Sequence, residues 1–245
     1  MSRDTSRTLA SLVASLALSV SALGCGDDVE PEVPPDAPPP PRVVLYLAFE
    51  GITLHPGSPS EASTDTTSIV DAELTLPPYL DGHADRQGRI DAIVAEVVAR
   101  VAPFDVEVVT RRPAAPPYLQ IVFTGNSSLL GAPPGIGGMA PFDCDRDQPT
   151  SIGFQFSSGT ADDRYGPRAH ANWTLTMLGS AHRVPFTRVR NDCMCWIGPE
   201  CNNADEVVCQ IGGPGTPVAT DYACEGTPAT IDERALLEAA LGVRP

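Results

Sequence analysis

The chain reads as an α/β or α+β layered domain, and three observations predict it. Short apolar runs of strand character and amphipathic stretches of helical period succeed one another through residues 42–245. No internal repeat interrupts that succession. About 200 residues are enough for one domain with a sizeable core. The order is strand, helix, strand, strand, strand, helix, loops, helix, and by itself it does not separate α/β from α+β.

Each element has its own signal. Arg42 to Phe49 (R-V-V-L-Y-L-A-F) is an almost unbroken apolar run, as a buried strand requires. Gly51 to Leu80 is rich in Ser, Thr, Pro and Gly and reads as a long loop. Ile90, Ile93, Val94, Val97, Val98 and Val101 recur at three- and four-residue spacing, which predicts an amphipathic helix ended by Pro103. Val106 to Thr110 and Leu119 to Thr124 read as strands separated by the turn-forming Pro113-Ala114-Ala115-Pro116-Pro117, and Ser151 to Phe156 reads as another. Ala169 to Leu178 holds neither proline nor glycine and is expected to be helical. Ile231 to Leu241 predicts a last helix, with Thr230 or Asp232 near its start and Gly242 after its end.

Ahead of the domain, residues 1–24 read as a signal peptide. Arg3 and Arg7 form a positive start, and Leu9 to Val20 an apolar run too short for a membrane span. The run ends in Ala22-Leu23-Gly24-Cys25, which resembles a bacterial lipobox. That resemblance implies cleavage before Cys25, lipidation of its sulfur, and anchorage in a bacterial cell envelope facing the periplasm or the outside. Residues 25–41 follow as the lipidated cysteine and a stalk. Gly26 to Pro41 is so rich in proline and acid that it cannot bury apolar surface. At about 3.1 Å per residue it would hold the domain roughly 50 Å from the membrane.

The formal net charge is −15, and subtracting the leader's net +1 (Arg3, Arg7, Asp4) leaves −16; every basic residue is Arg. So acidic a chain is repelled by phosphate backbones and anionic headgroups. Nucleic acid is therefore not an expected partner, and contact with a membrane is expected only through the lipid.

Besides Cys25 there are six cysteines: Cys144, Cys193, Cys195, Cys201, Cys209 and Cys224. An even number in an exported chain predicts disulfides, and six cysteines leave 15 pairings open. Most of them fall between Cys193 and Cys224, so bridges are expected mainly in the loops after the second helix. A metal knot on Cys193, Cys195 and Cys201 is the less favoured alternative in oxidising surroundings.

Asn172 to His182 reads N-W-T-L-T-M-L-G-S-A-H. Beside the zinc-protease signature H-E-x-x-H-x-x-G-x-x-H, Gly179 and His182 fall in register. Asn172 and Thr176 then stand in place of the first two histidines, and Trp173 in place of the glutamate. Other segments point the same way. Val43 to Leu54 resembles the opening strand of secreted bacterial zinc metalloproteases of the metzincin kind. Ile93 to Pro113, with its A-P-F-D-V step, is similar to their first helix and second strand. Gly137 to Cys144 (G-G-M-A-P-F-D-C) and Ser151 to Phe156 resemble the loop and strand before the active-site helix, and Asp192-Cys193-Met194 resembles their methionine turn. The resemblance covers most of residues 42–245 through short motifs. It implies a zincin-like domain with a mixed sheet and an active-site-type helix, followed by disulfide-rich loops.

In that family, two histidines at i and i+4 share a helix face, a third ligand follows the glycine, and the glutamate activates zinc-bound water. Here the face carries Asn172 and Thr176. A neutral amide or hydroxyl does not replace imidazole at zinc, and Trp173 has no carboxylate to act as base. The expectation is a non-catalytic, lipid-anchored envelope protein without a cofactor, whose former cleft takes a peptide or protein. Two alternatives are a metallopeptidase that binds zinc through rerouted ligands, such as His170, His182 and Asp162 or Asp163, and a purely structural envelope lipoprotein. His55 and His83 sit in the early loops. Other sites are not supported: Ser157-Ser158-Gly159 lacks G-x-S-x-G, and Gly135 to Gly138 lacks the Lys-Ser/Thr of a phosphate loop. Asn126 and Asn172 match glycosylation acceptors, but the lipobox implies a bacterium.

Overall fold

The computed structural model describes residues 43–157, 163–195, 201 and 207–244. The leader, Cys25, the stalk and Asp162 lie outside these residues. Five strands make the central sheet: β1 (Val43–Ala48), β5 (Val106–Val109), β6 (Leu119–Thr124), β7 (Gly138–Met139) and β8 (Ile152–Phe156). Their order is β5-β1-β6-β8-β7. The first four run parallel, and β7 pairs antiparallel to β8 at the edge. Two helices, α1 (Arg86–Val101) and α2 (Pro167–Ala181), pack on the sheet and on each other. A third, α3 (Glu233–Leu241), closes the chain. The sheet is therefore mixed and the domain α/β.

Period-two alternation in β1 assigns its side chains to two layers. Leu45, Leu47 and Phe49 join Ile93, Val97, Leu175 and Leu178 of the helices in one core. Ala48, with Val44 and Tyr46, joins Val122, Phe154 and Phe156 in a second core. That second core is covered by a feature the sequence did not show. Gly51 to Leu80, expected as a loop, contains β2 (Ile52–Pro56), β3 (Thr66–Thr67) and β4 (Leu74–Leu76) in a small sheet ordered β3-β2-β4. Leu54 and Leu76 are buried there. Strands of two to five residues, carrying at most two buried apolar positions each, leave too little periodicity to stand out among Ser, Thr and Pro.

The remaining boundaries hold closely. α1 begins four residues before Ile90 and ends two residues before Pro103. In α3 the Asp232 carboxylate caps the helix by accepting the Ala235 N–H at 3.0 Å. Gly242 follows with φ of 74°, a conformation glycine adopts without strain. Ile231, expected in that helix, instead belongs to β10 (Thr230–Asp232), which pairs with β9 (Pro214–Pro217).

Three disulfides form. Cys144–Cys224 joins residues 80 apart, Cys193–Cys209 residues 16 apart, and Cys195–Cys201 residues six apart. The two short bridges lie in the loops after α2, where they were expected. The long one also reaches back to the segment before β8.

Candidate functional site

Helix α2 is the centre of the site, and it is buried nearly all round. Pro167 sits in its first turn, where its missing N–H costs nothing. Where β8 runs beneath it, Gly153 allows the close approach: a Cβ there would lie 3.0 Å from Met177 Sδ. Two polar pairs, each spaced i and i+4, project from opposite sides of this helix.

His170 and Thr174 form the first pair. His170 Nδ1 meets Gln155 Oε1 at 2.5 Å, and Nε2 meets Asp163 Oδ2 at 2.7 Å. Gln155 Nε2 donates to the His170 carbonyl and to Thr174 Oγ1, at 3.0 and 2.6 Å. A carbonyl only accepts, so the amide orientation is fixed and Oε1 is the atom that faces Nδ1. Tyr79 OH donates to Asp163 Oδ2 at 2.6 Å, and the Tyr165 N–H donates to Oδ1 at 2.9 Å. The His170 ring is thus held from both sides, by Gln155 at Nδ1 and by Asp163 at Nε2. Burial alone would raise the Asp163 carboxyl. The hydrogen bond and charge of His170 outweigh it, and the hydrogen bonds from Tyr79 and Tyr165 add to them, so the group is held below the usual aspartate value. The His170 and Asp163 side chains are 0% and 1% exposed, so this pair is a polar strut inside the protein.

Asn172 and Thr176 form the second pair. Asn172 Nδ2 donates to the Val207 carbonyl at 2.9 Å, and Oδ1 accepts the Cys209 N–H at 3.3 Å. The single O–H of Thr176 is shared between the Cys193 carbonyl at 2.5 Å and the Asn172 carbonyl at 3.0 Å. Cys193 and Cys209 are themselves bridged. The structure therefore brings both signature positions to one place, where they grip the backbone of the cysteine loop.

Beneath that loop, Met194 is fully buried, and its N–H donates to Asp192 Oδ1 at 2.8 Å. A Cβ on Gly179 would lie 2.6 Å from Met194 Sδ, so the helix glycine and the methionine pack directly on each other. Asp192 Oδ1 also accepts from Thr187 Oγ1 at 2.7 Å. Glu233 is buried beside this loop and accepts the Gly212 N–H at 2.9 Å. Burial, reinforced by the neighbouring Asp192 carboxylate, pushes its carboxyl up to about 9, so it is neutral at pH 7.

Trp173 is half-buried between these regions. Its ring lies 4.7 Å from that of Tyr165 and 5.6 Å from that of His170. It leaves no room for a side chain at Gly137, where a Cβ would lie 2.2 Å from the indole. His182 caps α2 through its backbone N–H, which donates to the Gly179 carbonyl at 3.0 Å. Its Nε2 is buried without a hydrogen-bond partner among the described residues. Burial lowers the imidazole pKa, opposed by the charge of Asp147. No hydrogen bond or ion pair among the described residues links His182 to Asn172 or Thr176.

The donor set does not fit zinc. The Asn172 amide and the Thr176 hydroxyl are both engaged with backbone groups. No cluster of three His, Cys, Asp or Glu side chains arranged to hold a metal occurs among the described residues. Of the alternative set, His170 and Asp163 are brought together at 2.7 Å, no hydrogen bond or ion pair among the described residues joins them to His182, and Asp162 lies outside those residues. His55 faces Glu73 at 3.3 Å on the surface, and His83 accepts the Asp85 N–H. No helix among the described residues is long and apolar enough to cross a membrane.

Two parts of this arrangement escaped the sequence reading. Gln155 had a visible signal, being a polar residue inside an apolar strand. The partnership of Tyr79 with Asp163 spans 84 positions and had none. No protein family, curated protein or solved structure matches this chain.

Proposed function

We propose that this is a lipid-anchored, non-catalytic protein of the bacterial envelope, built on a domain resembling the metzincin zinc proteases, and that an extended peptide lies along its β7 edge. The observation that carries the non-catalytic reading is the second polar pair of α2: the side chains at the two ligand positions are spent on the Cys193–Cys209 loop. Peptide binding is supported by the position of β7 as the outermost described strand of the sheet. Among the described residues β7 pairs with β8 alone, and an edge strand accepts another by backbone hydrogen bonds. Aromatic groups flank it. Phe142, 36% exposed, lies just past β7 and pairs with Phe186 at 5.4 Å, while Trp173 covers Gly137 on the other side. The family reading is supported by Gly179 packed on Met194 and by the mixed sheet, in which β7 runs antiparallel to β8.

Metal analysis and a peptidase assay with and without chelator test the first part. The purified protein is expected to carry no stoichiometric zinc and to cleave nothing in a chelator-sensitive way; zinc with chelator-sensitive cleavage overturns the reading. Asn172→His with Thr176→His tests the family, because those imidazoles with His182 would complete a three-histidine zinc site. Zinc affinity no better than the parent's argues against it. Pull-downs from envelope extract compare the parent with Trp173→Ala, and equal capture by both leaves a purely structural role. Cys25→Ser is expected to release the protein from membranes, checked by fractionation.

A further inference from the structure

A concavity lined by no residue of β7 lies where the C-terminal end of α1, the start of α3 and the Cys193–Cys209 loop meet. It has a volume of about 430 Å³ and is lined by Arg100, Arg234, Ile211, Pro103 and the Cys193–Cys209 bridge. None of Asn172, Trp173, Thr176 or His182 lines it. We infer that this pocket is a binding site for an oxyanion, a carboxylate or a phosphate carried on a small apolar body.

Arg100 makes the case. Its side chain is only 8% exposed, yet its guanidinium is poorly matched. Nη1 reaches the Cys209 carbonyl at 3.4 Å, and Nη2 reaches Glu96 at 4.0 Å. Nε is buried with no hydrogen-bond partner among the described residues. Glu96 is shared, since Arg168 approaches it at 3.5 Å. A buried cation with so few partners is costly unless something completes its shell. Arg234 projects from the first turn of α3 into the same pocket, and its side chain makes no hydrogen bond or ion pair among the described residues. The adjacent acid does not offset it: Glu233 is buried and neutral at pH 7, its carboxyl raised to about 9 by burial and by Asp192.

In a chain of net charge −15, two guanidinium groups facing one cavity stand out. A guanidinium presents a planar fork of donors that matches carboxylate and phosphate oxygens. Ile211, Pro103, Ala99 and the disulfide supply an apolar wall beside that fork, which suits an acid with a short aliphatic portion.

Isothermal titration of the full protein with N-acetyl-leucine, with inorganic phosphate and with neutral N-acetyl-leucinamide tests this. N-acetyl-leucine, phosphate or both are expected to bind, the tighter of the two identifying the source of the oxyanion, and the amide is expected not to bind. Arg234→Gln sits on an exposed position of α3 and keeps the helix, so its circular dichroism should match the parent's. It is expected to weaken the anion about tenfold through loss of one charge-assisted hydrogen bond. Arg100→Met is expected to abolish binding, and because that variant could fail to fold, the decision rests on Arg234→Gln. Absence of binding by both anions, amide binding equal to that of the acid, or unchanged affinity in Arg234→Gln would each overturn the site.

Discussion

The two polar pairs of α2 have the same spacing and opposite surroundings. His170 and Thr174 face the sheet and meet side chains: Gln155, Asp163 and, through it, Tyr79. Asn172 and Thr176 face the cysteine loop and meet main-chain groups of Val207, Cys209 and Cys193. The first pair carries charge inside the core, and the second is neutral. Both hold structure, and the contrast lies in how each can fail. Removing one member of a buried ion pair strands the other charge. Removing a neutral side chain that binds backbone strands only a dipole.

The largest effect that sharpens this contrast is expected from His170→Leu. It leaves the Asp163 carboxylate buried without its imidazole partner and should cost about 3–5 kcal/mol in urea unfolding. The same pair sets an acid limb. Because Asp163 is held below the usual aspartate value, its contribution is present above the ordinary aspartate range and fades as pH falls through the lower folded value. In Asp163→Asn that limb should vanish from a plot of stability against pH.

Next comes Cys193→Ala with Cys209→Ala, which opens a 16-residue loop and should cost about 3 kcal/mol, read from the urea midpoint. Asn172→Ala should cost about 1–3 kcal/mol, because the Cys209 N–H and Val207 carbonyl lose their partner. A double-mutant cycle then separates the two faces. Asn172→Ala should couple to the loss of the bridge, since the bridge holds its partners, and should be additive with Asp163→Asn on the other flank. Coupling across both faces would break the contrast.

The last expectation concerns pH rather than a single contact, and it belongs to Glu233. Its folded pKa of about 9 lies far above that of an unfolded glutamate. The raised value favours folding at low pH, and that advantage is lost as pH rises from the ordinary glutamate range to about 9. Glu233→Gln keeps an acceptor for the Gly212 N–H and removes the ionisation. Thermal scans should show a flatter dependence between pH 5 and 8 and a higher melting point at pH 8, by about 2–4 °C for each kcal/mol recovered.

The same contrast explains what was readable in the sequence. The i, i+4 spacing of Asn172 and Thr176 and the glycine three residues on were enough to put two positions on one helix face. Long apolar strands such as β6 and β8, and the three-four rhythm of α1, were equally plain. The partners of those positions were not. Val207 and Cys209 reach Asn172 through a loop whose path is set by disulfides, and six cysteines leave their pairing open. Tyr79 meets Asp163 because the chain between them folds back over the sheet, and that closeness has no local trace. β7 holds only Gly138 and Met139 as a strand, too short to generate a period.

One further property follows from the position of β1. It begins at Val43 and lies between β5 and β6, parallel to both. Any tension drawn along the chain ahead of Val43 would therefore run along the axis of an interior strand, with bonded neighbours on either side. Hydrogen bonds that lie across the pulling direction share such a load and give way together, whereas a hairpin at a margin peels one rung at a time. Even after β1 slid out, the ring closed by Cys144–Cys224 would keep β8 and α2 tethered to each other. A domain wired this way is suited to being held by its N-terminal end under shear.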